Sequence, residues 1–256
     1  MKYPASEISG VESATSILAG IEKRYLACPE CPPEPNLDKT RGCRDLPRRI
    51  ERCSSCGRAV LDAVMLDALH ILHDFRLRDE RDALRSVGSP LLAVGYPLAY
   101  SPRLGPDSLI IQGQNISQEA ALTMVEQIPE VRGVILFQGV PGLHERGTKP
   151  LQNVLLAGSD LRADICQSLF GELVIYKNQS KIHIEFSRQS APKMRIIESL
   201  MLQGKASRVV DGLCGPGTLG LMCALAGCEQ VILNDAWLPA VQNVLLNLKA
   251  NQELLG

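Results

Sequence analysis

Residues 208–235, RVVDGLCGPGTLGLMCALAGCEQVILND, restrict the possible folds of this chain more than any other stretch. Val209 and Val210 form a short β-branched run, and a glycine-rich turn and a run of good helix formers follow it. A second apolar run, at residues 230–233, leads to Asn234 and Asp235. This order predicts a strand, a helix and a parallel second strand. The turn and Asp235 then lie at the carboxyl edge of the sheet, where nucleotides bind in open α/β folds.

Length and charge exclude several classes of protein. The chain has 256 residues and is 45% apolar, which suffices for one large domain or two small ones. Because the chain has 27 basic and 28 acidic residues, its net charge does not indicate nucleic acid binding. No apolar run reaches the length of about 18 residues that a membrane span needs, and the N-terminus resembles no secretory signal. Nine cysteines, partly in CxxC pairs, favour a reducing compartment, so we expect a cytoplasmic protein.

Two CxxC pairs in the N-terminal part predict a metal site. Cys28 and Cys31 form the first pair, and Cys53 and Cys56 form the second. Each pair can present two thiolates from one tight turn, and two such turns make the closed tetrahedral site of structural zinc. Cys43 lies between the pairs and is an alternative fourth ligand. A redox dithiol is the weaker interpretation, because neither pair opens a helix after a strand.

Between the pairs, the sequence RGCRDLPRRIERC concentrates basic charge. This loop either contacts phosphates, for instance through Arg48 and Arg49, or is a solvated loop with no partner, and the sequence leaves both possibilities open. His70 and His73 lie three residues apart on a predicted helix but lack an acidic partner at matching spacing, so a metal site there is disfavoured.

The periodicity predicts an α/β chain with three domains. Residues 1–88 form a helical module with the zinc site, and residues 89–186 form a small mixed α/β domain. Residues 187–256 form the first half of a Rossmann-like sheet. The predicted helices cover residues 10–26, 58–87, 117–127, 191–203 and 239–253. Strands are expected at residues 91–94, 108–112, 131–137, 151–157, 173–176 and 181–186. His144, Glu145 and Arg146 are interpreted as solvent-facing rather than catalytic.

Three ligands compete for the glycine-rich turn. A phosphate loop requires a Gly-Lys-Ser/Thr ending, which is absent. Gly215, Gly217 and Gly220 match the spacing of a dinucleotide fingerprint, but Asp211 ahead of them is a poor neighbour for a pyrophosphate. S-adenosylmethionine fits better, because Asp211 can accept hydrogen bonds from the cationic amine of its methionine part and Asp235 from its ribose.

The C-terminal part resembles the S-adenosylmethionine-dependent tRNA guanosine methyltransferases and their wybutosine-synthesis relatives, the Met-10-like family. The resemblance lies in Phe186-Ser187-Arg188, in the turn DGLCGPG from Asp211, in NDAWLPA from Asn234, and in LKAN ending at Asn251. Residues 131–159 are loosely similar to the small domain that precedes the catalytic one in that family. Asn234-Asp235 is equally similar to the tRNA dimethylguanosine enzymes.

The resemblance implies a seven-stranded sheet, of which this chain supplies two strands. The chain is then a truncated piece of a longer enzyme, a chain that a second polypeptide completes, or a binding relic, and truncation is favoured. The expected cofactor-binding residues are Asp211, Gly212, Gly215, Gly217 and Asp235. The catalytic residues are expected outside this sequence. The sequence-based prediction is therefore a methyltransferase that acts on tRNA, and the alternative is a zinc-stabilised binding or assembly module with a non-catalytic nucleotide half-fold.

Overall fold

The computed structural model of the chain describes residues 11–139, 153–182 and 192–256. The fold is mixed α/β and divides into two compact units. The first comprises residues 1–21, 164–176 and 184–256, and the second comprises residues 22–163 and 177–183. Across the described ranges, no helix combines the length and apolarity that crossing a bilayer requires. The three domain boundaries expected from the sequence stay a prediction.

The second unit contains most of the strands. Helix α1 (Ala14–Arg24) runs into it, and strand β1 (Ala59–Val60) precedes helix α2 (Leu61–Asp74). The remaining elements are β2 (Ser89–Leu92), β3 (Val94–Gly95), β4 (Arg103–Leu104), β5 (Leu109–Gly113), α3 (Gln118–Gln127), β6 (Val131–Leu136) and β7 (Val154–Gly158). Strands β5, β6 and β7 and helix α3 lie at predicted positions, the predicted strand at residues 91–94 is divided between β2 and β3, and β1 and β4 were not predicted. At the start of α3 the Ser117 hydroxyl accepts a hydrogen bond from the Ala120 N–H at 3.2 Å.

A four-stranded sheet in the order β2-β5-β6-β7 forms the centre of this unit. Strands β5 and β6 are parallel and joined by α3, whereas β2 and β7 are antiparallel edge strands. The two central strands carry continuous apolar runs because both of their faces are covered. Ile110, Ile111, Val134 and Ile135 are fully buried there.

The predicted long helix at residues 58–87 is wrong in its second half. Helix α2 ends at Asp74, Arg76 has a φ of 59°, and a short 3₁₀ helix (Leu84–Val87) follows. The Arg78 guanidinium donates hydrogen bonds to the carbonyl oxygens of Leu77, Ser86, Gln114 and Asn115. These bonds hold the chain in a turn, so a segment rich in helix-forming residues is not helical.

Strands β8 (Leu161–Ser168) and β9 (Gly171–Asn178) are consecutive in the chain and end the sheet β3-β8-β9. The sequence predicted the middle of β9 but not β8. The division between the two units passes through both strands. The strand expected at residues 181–186 and the beginning of the one at residues 151–157 lie largely outside the described residues.

The C-terminal part of the first unit matches the predicted order of elements. Helix α4 (Pro192–Leu202) precedes β10 (Arg208–Asp211), α5 (Thr218–Leu225) and β11 (Gln230–Leu233), and α6 (Leu238–Ala250) and α7 (Gln252–Leu255) follow. Strands β10 and β11 are parallel and form a two-stranded sheet, with Val210 opposite Ile232. Both of these side chains are exposed, by 68% and 49%. One face of the small sheet is therefore apolar and open.

Helix α6 buries only part of the face that its apolar spacing predicts. Of the residues expected against the sheet, Val241, Val244, Leu245 and Leu248, Val244 is buried, whereas Leu245 and Leu248 are 48% and 41% exposed. The buried face also carries three asparagines spaced four residues apart, Asn243, Asn247 and Asn251, the last directly after the helix end. Buried amides require hydrogen-bond partners, and for Asn247 and Asn251 these partners belong to β9.

Candidate functional site

The glycine-rich turn is tied to the carboxyl ends of both strands of its sheet. The Asn234 N–H donates to the Asp211 carbonyl at 2.9 Å, and the Cys214 N–H donates to the Asn234 carbonyl at 3.0 Å. Within the turn, the Gly217 N–H donates to the Cys214 carbonyl at 2.8 Å. Asp211 and Asp235 thus flank one turn, as the sequence predicted from strand order alone.

The glycines of the turn and of α5 have different structural roles. Gly217 has a φ of 89° and immediately precedes α5, and Gly215 has a φ of 53°, a region that other residues rarely adopt. A Cβ at Gly220 would lie 2.1 Å from Leu233 Cδ2, so this glycine allows α5 to pack closely on β11. By contrast, among the described residues other than the chain neighbours, no atom lies within 4 Å of a Cβ built at Gly212 or Gly215. The backbone at these two positions is open to an approaching ligand.

The two carboxylates differ in how they are held. Asp235 accepts hydrogen bonds from the Gly215 N–H and the Trp237 N–H, both at 2.9 Å, so it fixes the turn to the start of α6. Each of its oxygens keeps a second lone pair for another donor. Asp211 is half-buried, and this burial raises the pKa of its carboxyl group, as does the negative charge of Asp235, while the backbone N–H groups of Gly220 and Leu213 act against the rise. A cationic ligand group at Asp211 would offset the cost of its burial.

An apolar cavity of about 200 Å³ adjoins Asp211. Its lining includes Leu200 and Met201 of α4, Val209 of β10, and Leu219 and Cys223 of α5. Nearby, Thr218 Oγ1 is buried at the first residue of α5 and has no hydrogen-bond partner within the described part of the chain. Burial and the neighbouring carboxylates raise the pKa of the Cys214 thiol to about 11, which disfavours its thiolate form.

The four cysteines of the CxxC pairs converge on one point of the second unit. The Sγ atoms of Cys28, Cys31, Cys53 and Cys56 all lie within 4.8 Å of one another. The Cys28–Cys53 separation is 3.7 Å, and the Cys28–Cys31 and Cys31–Cys56 separations are 3.6 Å. Zinc–sulfur bonds of about 2.3 Å in a tetrahedron separate the sulfurs by about 3.8 Å. The sulfur positions therefore fit a zinc ion.

Local backbone geometry forms each cysteine turn. The Cys31 N–H donates to the Cys28 carbonyl at 3.0 Å, and the Gly57 N–H donates to the Cys53 carbonyl at 2.8 Å, with Gly57 at a φ of 70°. Backbone N–H groups of Cys56 and Ser55 donate to the Cys53 sulfur and lower the pKa of its thiol to about 6. A thiolate at Cys53 suits a metal ligand.

Arginines attach these turns to the body of the second unit. Arg58 Nη1 donates to the Leu26 carbonyl at 2.8 Å, and Arg103 donates to the Pro32 carbonyl. Arg52, directly before Cys53, donates to both carboxylate oxygens of Glu130 at 2.8 Å and to Asp67 at 3.1 Å. Glu130 is buried, so this is a desolvated ion pair, and its charges raise the pKa of Arg52. The second cysteine turn is thereby fixed to the loop before β6.

Cys43 lies outside the cysteine cluster. Its Sγ lies 3.3 Å from His70 Nδ1, and His70 Nε2 lies 3.1 Å from the Pro47 carbonyl. Because a carbonyl only accepts, Nε2 carries the proton and Nδ1 is free to accept from the thiol. Burial raises the pKa of Cys43. The sequence-based alternative of Cys43 as a fourth ligand is not supported by this arrangement, and His73 contacts Asp74 instead of a metal cluster.

The arginine-rich loop is paired with acids throughout. Its five arginines lie between 2.8 and 3.9 Å from an acidic side chain. The partners of Arg48 and Arg49 are Asp74 and Glu51, and these contacts are long and exposed. Neighbouring acids therefore offset part of the positive charge of the loop, and Arg52 has a structural role. His144, Glu145 and Arg146, and the Phe186-Ser187-Arg188 segment, lie outside the described residues.

No protein-family profile matches this chain, and no curated protein sequence matches it. Among solved structures, the chain is similar to the crystal structure of wild-type Trm5b from Pyrococcus abyssi, with a TM-score of 0.34 and 17% sequence identity. The similarity covers 58% of this chain and 43% of that chain, so the chain spans less than half the length of that protein.

Proposed function

We propose that this chain provides the S-adenosylmethionine-binding half of a methyltransferase that acts on tRNA. The observation that carries the proposal is the pair of carboxylates, Asp211 and Asp235, on either side of a turn whose Gly212 and Gly215 face open space. Glycines without neighbours at this place let a ligand lie against the backbone, and the acids provide acceptors at its two ends.

Each residue has a separate role in this proposal. Asp211 accepts hydrogen bonds from the amine of the methionine part, and the positive charge of that amine offsets the burial of the carboxylate. Asp235 is held rigidly by two backbone N–H groups and accepts from the ribose hydroxyls with its remaining lone pairs. Gly217 starts α5, whose N-terminus and buried Thr218 hydroxyl offer hydrogen-bond capacity to the ligand.

When bound, the cofactor supplies an electrophilic methyl group on a sulfonium. The residues of this chain bind and orient it, and we assign none of them as a general base. Methyl transfer depends largely on the alignment of donor and acceptor. The two-stranded sheet presents only one part of such an alignment. We propose that further strands, in a longer form of the chain or in a second polypeptide, complete the sheet and orient the acceptor.

The cofactor site is tested by calorimetric titration with S-adenosylhomocysteine. We expect saturable binding that Asp211→Asn and Gly212→Ala both abolish or strongly weaken. Leu169→Ala, a substitution of an exposed residue in the turn between β8 and β9, is the matched control and leaves binding unchanged. If the wild-type chain gives no heat of binding at high protein concentration, the proposed cofactor site is wrong.

The choice of tRNA as acceptor comes from the sequence motifs, and we propose that Arg48 and Arg49 contribute to its binding. Their acidic partners are exposed and distant enough to be displaced by phosphate. Replacing both arginines by alanine should weaken tRNA binding and reduce the salt dependence of the binding constant by about two counterions. Lys205→Ala, another exposed cation, is the control. Identical salt slopes for the double variant and wild type remove this loop from the interface.

We also propose that the cysteine cluster binds structural zinc, because four thiolates close a tetrahedron without an open position. Elemental analysis of protein purified without chelator should find one equivalent of zinc. The rival function is a zinc-stabilised binding or assembly module, which the fit of the cysteine cluster supports. A chain with full zinc content and no affinity for S-adenosylhomocysteine would establish that rival.

A further inference from the structure

Two side-chain amides from α6 and its end close the free edge of β9. Asn251 Oδ1 accepts from the Val174 N–H at 2.9 Å, and its Nδ2 donates to the Val174 carbonyl at 2.7 Å. Asn247 repeats this pair of bonds on Tyr176, at 2.7 and 2.9 Å. Within the described residues, β9 is the last strand of its sheet, so the amides satisfy backbone groups that a neighbouring strand would otherwise pair.

The spacing of these residues explains why the two amides fit the edge of β9. Four residues of a helix rise about 6 Å, and two residues of a strand rise about 6.6 Å. Residues 174 and 176 therefore direct their N–H and C=O groups toward amides one helical turn apart. Both asparagines are fully buried, so each lost bond would leave a buried polar group without a partner.

The two asparagines differ in the acceptor of their second Nδ2 hydrogen. The second Nδ2 hydrogen of Asn251 goes to the Asn247 carbonyl of the same helix at 2.8 Å. The second Nδ2 hydrogen of Asn247 goes to the Pro216 carbonyl at 2.9 Å. Pro216 lies between Gly215 and Gly217, near the C-terminal end of the glycine turn. Because Nδ2 of Asn247 faces two carbonyls, which only accept, the orientation of its amide is unambiguous.

We propose that Asn247 is a positioning residue for ligand binding at the glycine turn, acting through the Pro216 carbonyl. The inference rests on the proposed cofactor site. The turn contains two glycines at positive φ, and glycine has more backbone freedom than other residues. Asn247 ties the Pro216 carbonyl of this turn to the edge of β9, so the turn is ordered before a ligand arrives. The ligand then avoids the entropy cost of ordering it.

Asn251 provides the matched control for this proposal. Asn247→Ala and Asn251→Ala each remove two bonds to β9, but only Asn247→Ala removes the bond to the turn. We expect both variants to lose similar stability in urea. We expect Asn247→Ala to weaken S-adenosylhomocysteine binding at least about tenfold, and Asn251→Ala to change it much less. Equal losses of affinity in the two variants, or none in either, overturn the positioning role.

Hydrogen exchange separates this inference from the proposed function and needs no ligand. In Asn247→Ala, the Cys214 and Gly217 amides should exchange faster than in Asn251→Ala, because the turn is freed. If wild type binds no S-adenosylhomocysteine, the cofactor site is wrong, but this difference in exchange still tests the positioning of the turn. If Asn247→Ala does not fold, NMR of wild type decides. The Asn247 Nδ2 hydrogens should then be protected and should shift on adding S-adenosylhomocysteine more than those of Asn251, and equal shifts refute the proposal.

Discussion

The cysteine cluster and the glycine turn are both predicted from short motifs, yet they differ in the structural elements that support them. The cluster has its four ligands, its turn-forming backbone bonds and a buried ion pair, Arg52–Glu130, that attaches it to its unit. The glycine turn is also held by backbone hydrogen bonds, but within the described residues its sheet has two strands, with Val210 and Ile232 exposed on one face. The two cysteine turns carry all four candidate ligands themselves, whereas the glycine turn depends on the strands on either side of it.

Loss of the cysteine ligands should have the largest effect. A double variant, Cys31→Ser with Cys56→Ser, should lose zinc, and residues 28–58 should lose their protection from hydrogen exchange, because structural zinc contributes about 10 kcal/mol or more to folding. Cys228→Ser, in the other unit, is the control. Unchanged zinc content and protection in the double variant would mean that the cluster holds no metal.

Breaking the buried ion pair should come next. Arg52→Ala leaves the buried Glu130 carboxylate without its bidentate partner, and we expect the free energy of unfolding in urea to fall by about 3–5 kcal/mol. Arg49→Ala, which removes only an exposed contact of 3.9 Å to Glu51, should stay within about 0.5 kcal/mol of wild type. If the two variants are equally stable, Arg52 does not anchor the second cysteine turn.

Two glycines of the turn should separate packing from binding. Gly220→Ala places a methyl group against Leu233 and should cost about 1–3 kcal/mol of stability, measured by urea unfolding. Gly212→Ala meets no atom within 4 Å, so it should leave stability nearly unchanged and weaken S-adenosylhomocysteine binding. A Gly212→Ala variant that binds as wild type does would show that the ligand does not approach this side of the turn.

The smallest effect concerns the pH dependence of stability at Asp211. Burial raises the pKa of its carboxyl group, so the folded chain binds this proton more tightly than the unfolded chain does. The contribution of Asp211 to the free energy of unfolding is present below the pKa that its carboxyl group has in the unfolded chain. It is lost as the pH rises through the higher pKa of the folded state. Asp211→Asn should therefore raise the free energy of unfolding at neutral pH relative to acidic pH, while it abolishes ligand binding. Unfolding curves that are equally displaced at all pH values contradict this burial effect.

The sequence predicts what local chemistry determines. A β-branched run, a glycine turn and a run of helix formers located β10, α5 and β11 closely, and the structure brings the four sulfurs of the paired CxxC turns together. Non-local hydrogen bonds account for the errors. Arg78 stabilises a turn through carbonyls up to 37 residues away, and it prevents the predicted continuation of α2.

The predicted face of α6 is wrong at Leu245 and Leu248 for a related reason. Periodicity ranks leucine above asparagine for burial, but the partners of Asn247 and Asn251 are backbone groups of β9, 71 and 77 residues earlier in the chain. The sequence contained one signal for this arrangement. Asn251 belongs to the LKAN motif that carries the resemblance to the tRNA methyltransferases, and Asn247 and Asn243 precede it at intervals of one helical turn.

The asparagine-covered edge of β9 also bears on self-association. An uncovered edge strand pairs readily with strands of other molecules, and here side-chain amides occupy the hydrogen-bonding positions of Val174 and Tyr176. Detachment of α6 would expose that edge together with the apolar residues of β9. Opening of α6 alone would therefore expose a pairing edge, so the docking of α6 protects solubility as well as order at the turn.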